Sequence, residues 1–92
     1  MICVDEIQHW PSGPTCFKYG FCHLTCLPVN ADELDSLHDF ANRLGIKRSW
    51  FQDHSTHPHY DITARKRIQA IDQGAVFLTA REQARRRRRS GL

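Results

Sequence analysis

Ninety-two residues, 40% hydrophobic and 25% charged, suffice for one domain with a modest core and exclude a generally disordered chain. No apolar run is long enough to cross a bilayer and no signal peptide is evident, so the expectation is a soluble cytoplasmic protein without membrane contact. The formal charge of +3 is unevenly placed: residues 81–92 hold six arginines against one glutamate, a net +5, whereas residues 1–80 hold seven basic against nine acidic residues, a net −2.

A general nucleic-acid-binding surface spreads Lys and Arg over the folded body. Here we expect residues 1–84 to form a compact domain and 85–92 a solvated or frayed arginine-rich tail. A polyanion contact through Arg85 to Arg89 is the functional alternative for that run. A domain of this size gains by burying surface against a second copy, so a homodimer is also expected.

In chain order, Met1-Ile-Cys-Val-Asp-Glu-Ile7 is a short apolar run ending in acids and predicts a buried strand. Trp10-Pro-Ser-Gly-Pro14 is a turn-rich connector. Residues 17–27 predict a second strand, strongest over 21–27 and ended by Pro28. Four cysteines lie at positions 3, 16, 22 and 26. Their spacing lacks the C-x-x-C knuckle of a structural zinc site, so reduced thiols are expected, with Cys3 and Cys22 as small buried hydrophobes. Residues 31–44 predict a helix. Asn30 and Glu33 form a variant capping box, Val29 and Leu34 are placed as a staple, and Leu34, Leu37, Ala41 and Leu44 make the apolar stripe. Gly45 supplies the stop. His38 lies at the edge of that stripe.

Residues 47–52 predict a brief helical turn whose Trp50 and Phe51 close the core. The run His54-Ser-Thr-His-Pro-His-Tyr-Asp61 reads as a loop, with Asp61 capping a helix over 62–73 that buries Ala64, Ile68 and Ile71. Pro58 disfavours helical backbone at His57. His57, His59 and Asp61 are therefore expected on one face of an extended segment, with Tyr60 turned inward. Residues 75–78 predict a short buried strand, and Thr79-Ala-Arg-Glu82 is a capping box for a last helix. The order implies a single small α/β domain: a three-stranded, at least partly parallel sheet flanked by about three helices. In such a sheet, ligands gather beyond the strands' carboxyl ends. That rule brings together Asp5 and Glu6, residues 25–30, Thr79 and, with the loop, His57 and His59.

Met1-Ile-x-Val-Asp-Glu, Cys22-His-Leu, Leu37-His-x-Phe-Ala-x-x-Leu-Gly45, Arg48-x-Trp-Phe51, His59-Tyr-Asp61 and Gly74-Ala-Val resemble the small bacterial and phage proteins known as domain of unknown function 4031. The resemblance covers about residues 1–84, and His-Tyr-Asp and Arg-x-Trp-Phe carry most of it. Where the family pattern commonly ends the first strand in two aspartates, this chain has Glu6; where it usually has Ser, this chain has Cys22. The resemblance implies a compact cytosolic module, often phage-carried, and brings no activity with it.

The residues themselves point to phosphoester chemistry on a nucleotide or other phosphorylated small molecule. His59 would act as general acid or base, with His23 or His57 as its partner and Asp61 or Asp5 as the orienting carboxylate. Arg65 and Arg67 would clamp phosphate oxygens, Trp10, Trp50 or Tyr60 would stack on a base, and Asn30, Asp61 and Thr79 would offer helix N-termini. Asp5, His57, His59 and Asp61 also make a donor set suited to a divalent cation such as zinc or manganese. Two other classes fit the same residues: a module that sequesters a nucleotide without turnover, and an interaction factor docking through its basic tail.

Overall fold

The computed structural model describes every residue except 10, 11, 14–16, 91 and 92, and every side chain except these and those of residues 89 and 90. Trp10 and Cys16, with most of the expected connector at 10–14, lie outside the described residues. Five strands, β1 (Ile2–Val4), β2 (Phe21–Cys26), β3 (Phe51–Gln52), β4 (His59–Thr63) and β5 (Val76–Phe77), form one sheet in the order β3-β4-β2-β1-β5. The expected three strands are thus five. The sheet is mixed: β1–β5 is its parallel pair, and the other three pairings are antiparallel.

The largest departure is β4, which occupies the stretch read as a loop. Its residues alternate. Tyr60 and Ile62 enter the core, while His59, Asp61 and Thr63 face the other way. Asp61 is consequently a strand residue and caps nothing. The N-cap of α2 (Ala64–Asp72) is Thr63, whose hydroxyl accepts from the Lys66 N–H at 3.1 Å.

Helix α1 (Ala31–Arg43) forms as expected, with the Asn30 side chain accepting from the Glu33 N–H. Val29, expected as half of a staple, remains exposed. Both α1 and α2 end in the same motif. The N–H two residues past the cap, at Ile46 or Ala75, returns to the carbonyl of Ala41 or Ala70 at 2.9 Å. Gly45 and Gly74 take the positive φ (77° and 108°) that this closure requires.

Leu37, Phe40, Ala41 and Leu44 from α1 and Ala70 from α2 pack on one sheet face against Val4, Cys22, Leu24, Cys26, Tyr60 and Ile62. Helix α2 does not bury the stripe expected of it: Ile68 and Ile71 are exposed and Ala70 is inside. The inward face instead carries Lys66 and Arg67. Their stems lie along the sheet while Lys66 Nζ donates to the Leu44 carbonyl and Arg67 Nε to that of Asp5. Trp50 belongs to a 3-10 turn (Arg48–Trp50) and is 54% exposed, so Phe51 alone of that pair joins the core. His38 sits at the core's edge as expected, its Nδ1 2.8 Å from the Tyr60 hydroxyl. Strand β5 is exposed at the sheet margin and not buried.

Beyond β5, Thr79 accepts from the Glu82 N–H and opens α3 (Ala80–Ser90). The run expected as a solvated or frayed tail is helical as far as Ser90. Arg85 and Arg86 are nearly half exposed and both reach Glu82. No helix among the described residues is long and apolar enough to cross a membrane.

Removing the Thr63 hydroxyl leaves the Lys66 N–H without its cap. Thr63→Ala should lower stability by about 1 kcal/mol, read from the urea midpoint at unchanged slope.

Candidate metal centre

The second sheet face carries the alternate residues of the same strands, and on it the polar side chains converge. His23 of β2 pairs across the ladder with Asp61 of β4, and Thr25 pairs with His59. Asp5 follows the Val4–Leu24 pair and so stands beside His23 from the β1 side. Three strands thus set Asp5, His23 and Asp61 in a row, with His59 two residues from Asp61 on the same face.

Asp5 is 1% exposed and spends both oxygens on His23, accepting the backbone N–H at 2.7 Å and Nδ1 at 2.6 Å. A carboxylate at that distance places the His23 proton on Nδ1, which leaves Nε2 as the outward nitrogen. His59 is held in the same sense by a different group. Its Nδ1 lies 2.7 Å from the His57 carbonyl and must donate to it, so its Nε2 also points outward. Both Nε2 atoms lie 3.5 Å from Asp61 Oδ1. These three atoms are all within 4.8 Å of one another. Asp61 Oδ1 is buried and has no hydrogen-bond partner, while Oδ2 accepts from Gln52 Nε2 at 2.5 Å.

His57 packs around this group without facing it. Its ring stacks on His59 at 4.9 Å and meets His23 edge-on at 5.4 Å. Arg87 of α3 approaches its Nδ1 at 3.1 Å, a contact in which the guanidinium donates and a neutral imidazole accepts. This contact brings α3 to the face opposite α1 and α2. The loop before β4 is pinned by Thr25, whose hydroxyl donates to the Pro58 carbonyl at 2.6 Å.

The two kinds of imidazole are driven apart electrostatically. The bond to Asp5 raises the pKa of His23 above its ordinary 6.5 against the opposing effect of burial, and Asp61 and Glu6 add to the rise. Burial, then the Arg87 charge, then the neighbouring histidines push His57 down to about 4. Burial raises the thiols of Cys3 and Cys22 to about 12, so neither is a thiolate near neutrality.

The donor set therefore differs in composition from the one expected. Of Asp5, His57, His59 and Asp61, only His59 and Asp61 present a ligand atom to the common point. Asp5 and His57 stand behind the first ring, and His23 completes it. Among the expected ligand-binding residues, Arg67 is committed to the Asp5 carbonyl and lies over the Phe77 ring. Arg65 is exposed near the start of α2. Tyr60 lies on the opposite sheet face, within the core. Thr79 caps α3, where Glu6 already accepts the Ala80 N–H at 2.9 Å. Of residues 25–30, Thr25 and Cys26 end β2, with Thr25 paired to His59, while 27–30 leave the sheet at the end opposite Asp5 and Glu6. Trp50 walls a cavity of about 530 Å³ with Phe17, Ile46, Ile62 and Lys66, bordered by Gln52 and Asp61. Sequence reasoning missed Gln52, and it named Arg87 only as part of the basic run and not as a neighbour of His57. The strict alternation of His59-Tyr-Asp-Ile-Thr63 was the signal that would have exposed β4 and its pairing with His23.

A family model described as protein of unknown function (DUF4031) matches residues 2–90, and the chain belongs to that family. Neither the curated proteins nor the solved structures contain a match.

A histidine whose pKa is depressed on folding contributes stability that is present above its unfolded value of about 6.5 and is lost as the pH falls through the folded value. For His57 that window runs from about 6.5 down to about 4. With a chelator present, His57→Asn should lose less stability than the parent protein between pH 7 and pH 5. Identical losses in urea titrations at the two pH values would contradict the burial and charge assigned to this ring. His23 acts in the opposite sense, its contribution being present below about pH 6.5 and lost as the pH rises through its raised folded value.

Proposed function

We propose that this DUF4031 protein is a divalent-metal-dependent hydrolase of phosphoesters, its cation held by His23 Nε2, His59 Nε2 and Asp61 Oδ1. The observation that carries the proposal is the pair of 3.5 Å separations from Asp61 Oδ1 to the two imidazole nitrogens. That gap is long for a hydrogen bond. A tetrahedral ion with bonds of about 2.0–2.1 Å keeps its ligand atoms roughly 3.3–3.4 Å apart, close to the 3.5 Å of these two pairs, and all three atoms lie within 4.8 Å of one another.

Two further features support it. Each imidazole has its other nitrogen tied to an acceptor, the Asp5 carboxylate for His23 and the His57 carbonyl for His59, the arrangement that fixes tautomer and ring orientation in metal sites. A buried carboxylate oxygen without a partner costs about 1–3 kcal/mol, and a cation bonded to Asp61 Oδ1 removes that cost. Two imidazoles and one carboxylate leave a coordination position open, as catalytic zinc sites do. The same donors suit manganese.

His23, His59 and Asp61 would hold the cation, which when bound would supply Lewis-acid activation of a water near neutral pH. In the reaction a water oxygen bonds to phosphorus as the P–O bond to the leaving alcohol breaks. One water proton passes to solvent and the leaving oxygen takes one back, giving a phosphate monoester and an alcohol from a diester. His57, neutral at physiological pH, accepts from Arg87 and so holds the guanidinium next to the histidine cluster, and the four remaining N–H donors of that guanidinium suit phosphate oxygens. The cavity between Trp50 and Asp61 has room for the ester's organic part, with an aromatic face suited to a nucleobase.

Isothermal titration of the metal-free protein should show one equivalent of Zn²⁺ or Mn²⁺ bound, and no binding to His59→Ala or Asp61→Ala. Asp5→Asn should weaken the metal by about 10–100-fold through the loss of the partner that orients His23. With metal, the parent protein should hydrolyse bis(p-nitrophenyl) phosphate, and His59→Ala should not while melting within a few degrees of it. Metal binding without turnover would favour the sequestering module; no metal binding would end the proposal.

A further inference from the structure

A second concavity lies between α3, the turn after β2 and the loop before β4. Its volume is about 540 Å³, and it is bounded by Leu27, Pro28 and Val29 after β2, by Thr56 in the loop before β4, and by Ala84, Arg87 and Arg88 of α3. Positions 84, 87 and 88 follow the three- and four-residue steps of a helix, so they occupy one side of α3. Ala84 is the small residue that leaves room beneath the two guanidiniums. Arg87 belongs to both places: it lines this groove and its NH1 is 3.1 Å from His57, whose ring stacks on His59. The groove therefore opens beside the proposed metal site.

We infer that this groove binds a single-stranded polynucleotide, and that such a strand, not a free mononucleotide, is the substrate presented to the metal site. Three observations carry this. The charge of the molecule is segregated: residues 81–92 hold a net +5 and residues 1–80 a net −2. A polyanion is thus drawn to α3 and repelled by the body, where Asp32, Glu33, Asp35 and Asp39 of α1 lie on the opposite side of the sheet. An 11-residue helix is about 16 Å long, enough to follow several successive phosphates, whereas a mononucleotide meets only one end of it. Finally, the groove joins guanidiniums to an apolar floor of Leu27, Pro28 and Val29. An unstacked base can lie on that floor while its phosphates meet Arg87 and Arg88; a duplex, with its base faces covered, cannot use it.

The cleavage half of this inference rests on the hydrolase reading; the binding half does not, and the two are separable. Metal-free protein comprising all 92 residues is titrated against fluorescein-labelled single-stranded oligothymidylate and oligouridylate of about 20 nucleotides, followed by fluorescence anisotropy at several salt concentrations. The variants are Arg88→Glu, Arg88→Gln and, as a control for charge alone, Arg85→Glu, since Arg85 pairs with Glu82 and does not line the groove. Arg88→Glu should weaken binding at least tenfold, and Arg88→Gln should lower the slope of log K against log salt by about 0.7, the value of one phosphate contact on a single strand. Arg85→Glu should have a distinctly smaller effect. Equal losses for positions 85 and 88, or a duplex bound as tightly as a single strand, would overturn the groove.

With metal present, Arg88→Glu should cleave the oligonucleotide at least tenfold less efficiently in kcat/KM and hydrolyse bis(p-nitrophenyl) phosphate at the parent rate. A parent protein that cleaves the small diester but leaves the oligonucleotide intact would refute the polynucleotide substrate and leave the hydrolase reading standing. One that binds the oligonucleotide yet cleaves neither would refute the hydrolase reading and keep the groove.

Discussion

The contact on which the site depends is the one between Asp5 and His23. A carboxylate with 1% of its surface exposed has to be bonded, and both its oxygens are used on a single residue, one on the main chain and one on the ring. That double attachment ties the end of β1 to the middle of β2 and sets the proton on Nδ1. It also turns the other nitrogen of His23 toward β4. Without it the imidazole would be a half-exposed side chain with several rotamers; with it, the ring direction follows from the strand pairing.

The sheet then divides the work between its faces. One face is filled by α1, α2 and the apolar alternates Leu24, Tyr60 and Ile62, and provides the rigidity. The other carries His23, His59 and Asp61 at positions that the ladder fixes to within a side chain's reach. Placing these side chains on paired strands holds them more firmly than a loop does. It also means that a single element, β4, supplies both a core anchor and two of the three converging atoms. His57, just outside the strand, contributes its carbonyl to His59 and its ring lone pair to Arg87, and so couples α3 to the cluster.

Helix α3 gives the molecule a direction. Its basic run is kept apart from the acids of α1 by the thickness of the sheet, so the field near the histidines is positive on one side. The neutral state of His57 belongs to the same arrangement, because burial and a nearby guanidinium both disfavour a second positive charge.

Much of this could be read in the chain. Helices with capping residues and glycine stops, at Asn30 and Gly45 or at Thr79, were legible because the signals are local: a side-chain oxygen three residues from an N–H, and a backbone that only glycine adopts without strain. The inward turn of Tyr60 and the buried thiols of Cys3 and Cys22 followed from alternation and apolar context. The clustering of Asp5 with histidine was foreseen, but through the wrong construction, a shared edge of parallel strands.

What the chain alone determined, then, was the inventory: which residues are able to bond a cation or a phosphate, and where the helices begin and stop. Tertiary structure decided the partners. That His23 and not His57 turns a nitrogen toward Asp61, that Asp61 lies in a strand, and that Arg87 reaches the loop all depend on contacts 18 to 38 residues apart in sequence. No local propensity encodes such contacts, because they are set by the register in which β2 meets β4 and β1. A shift of one residue in the register of β4 would send His59 and Asp61 toward the core.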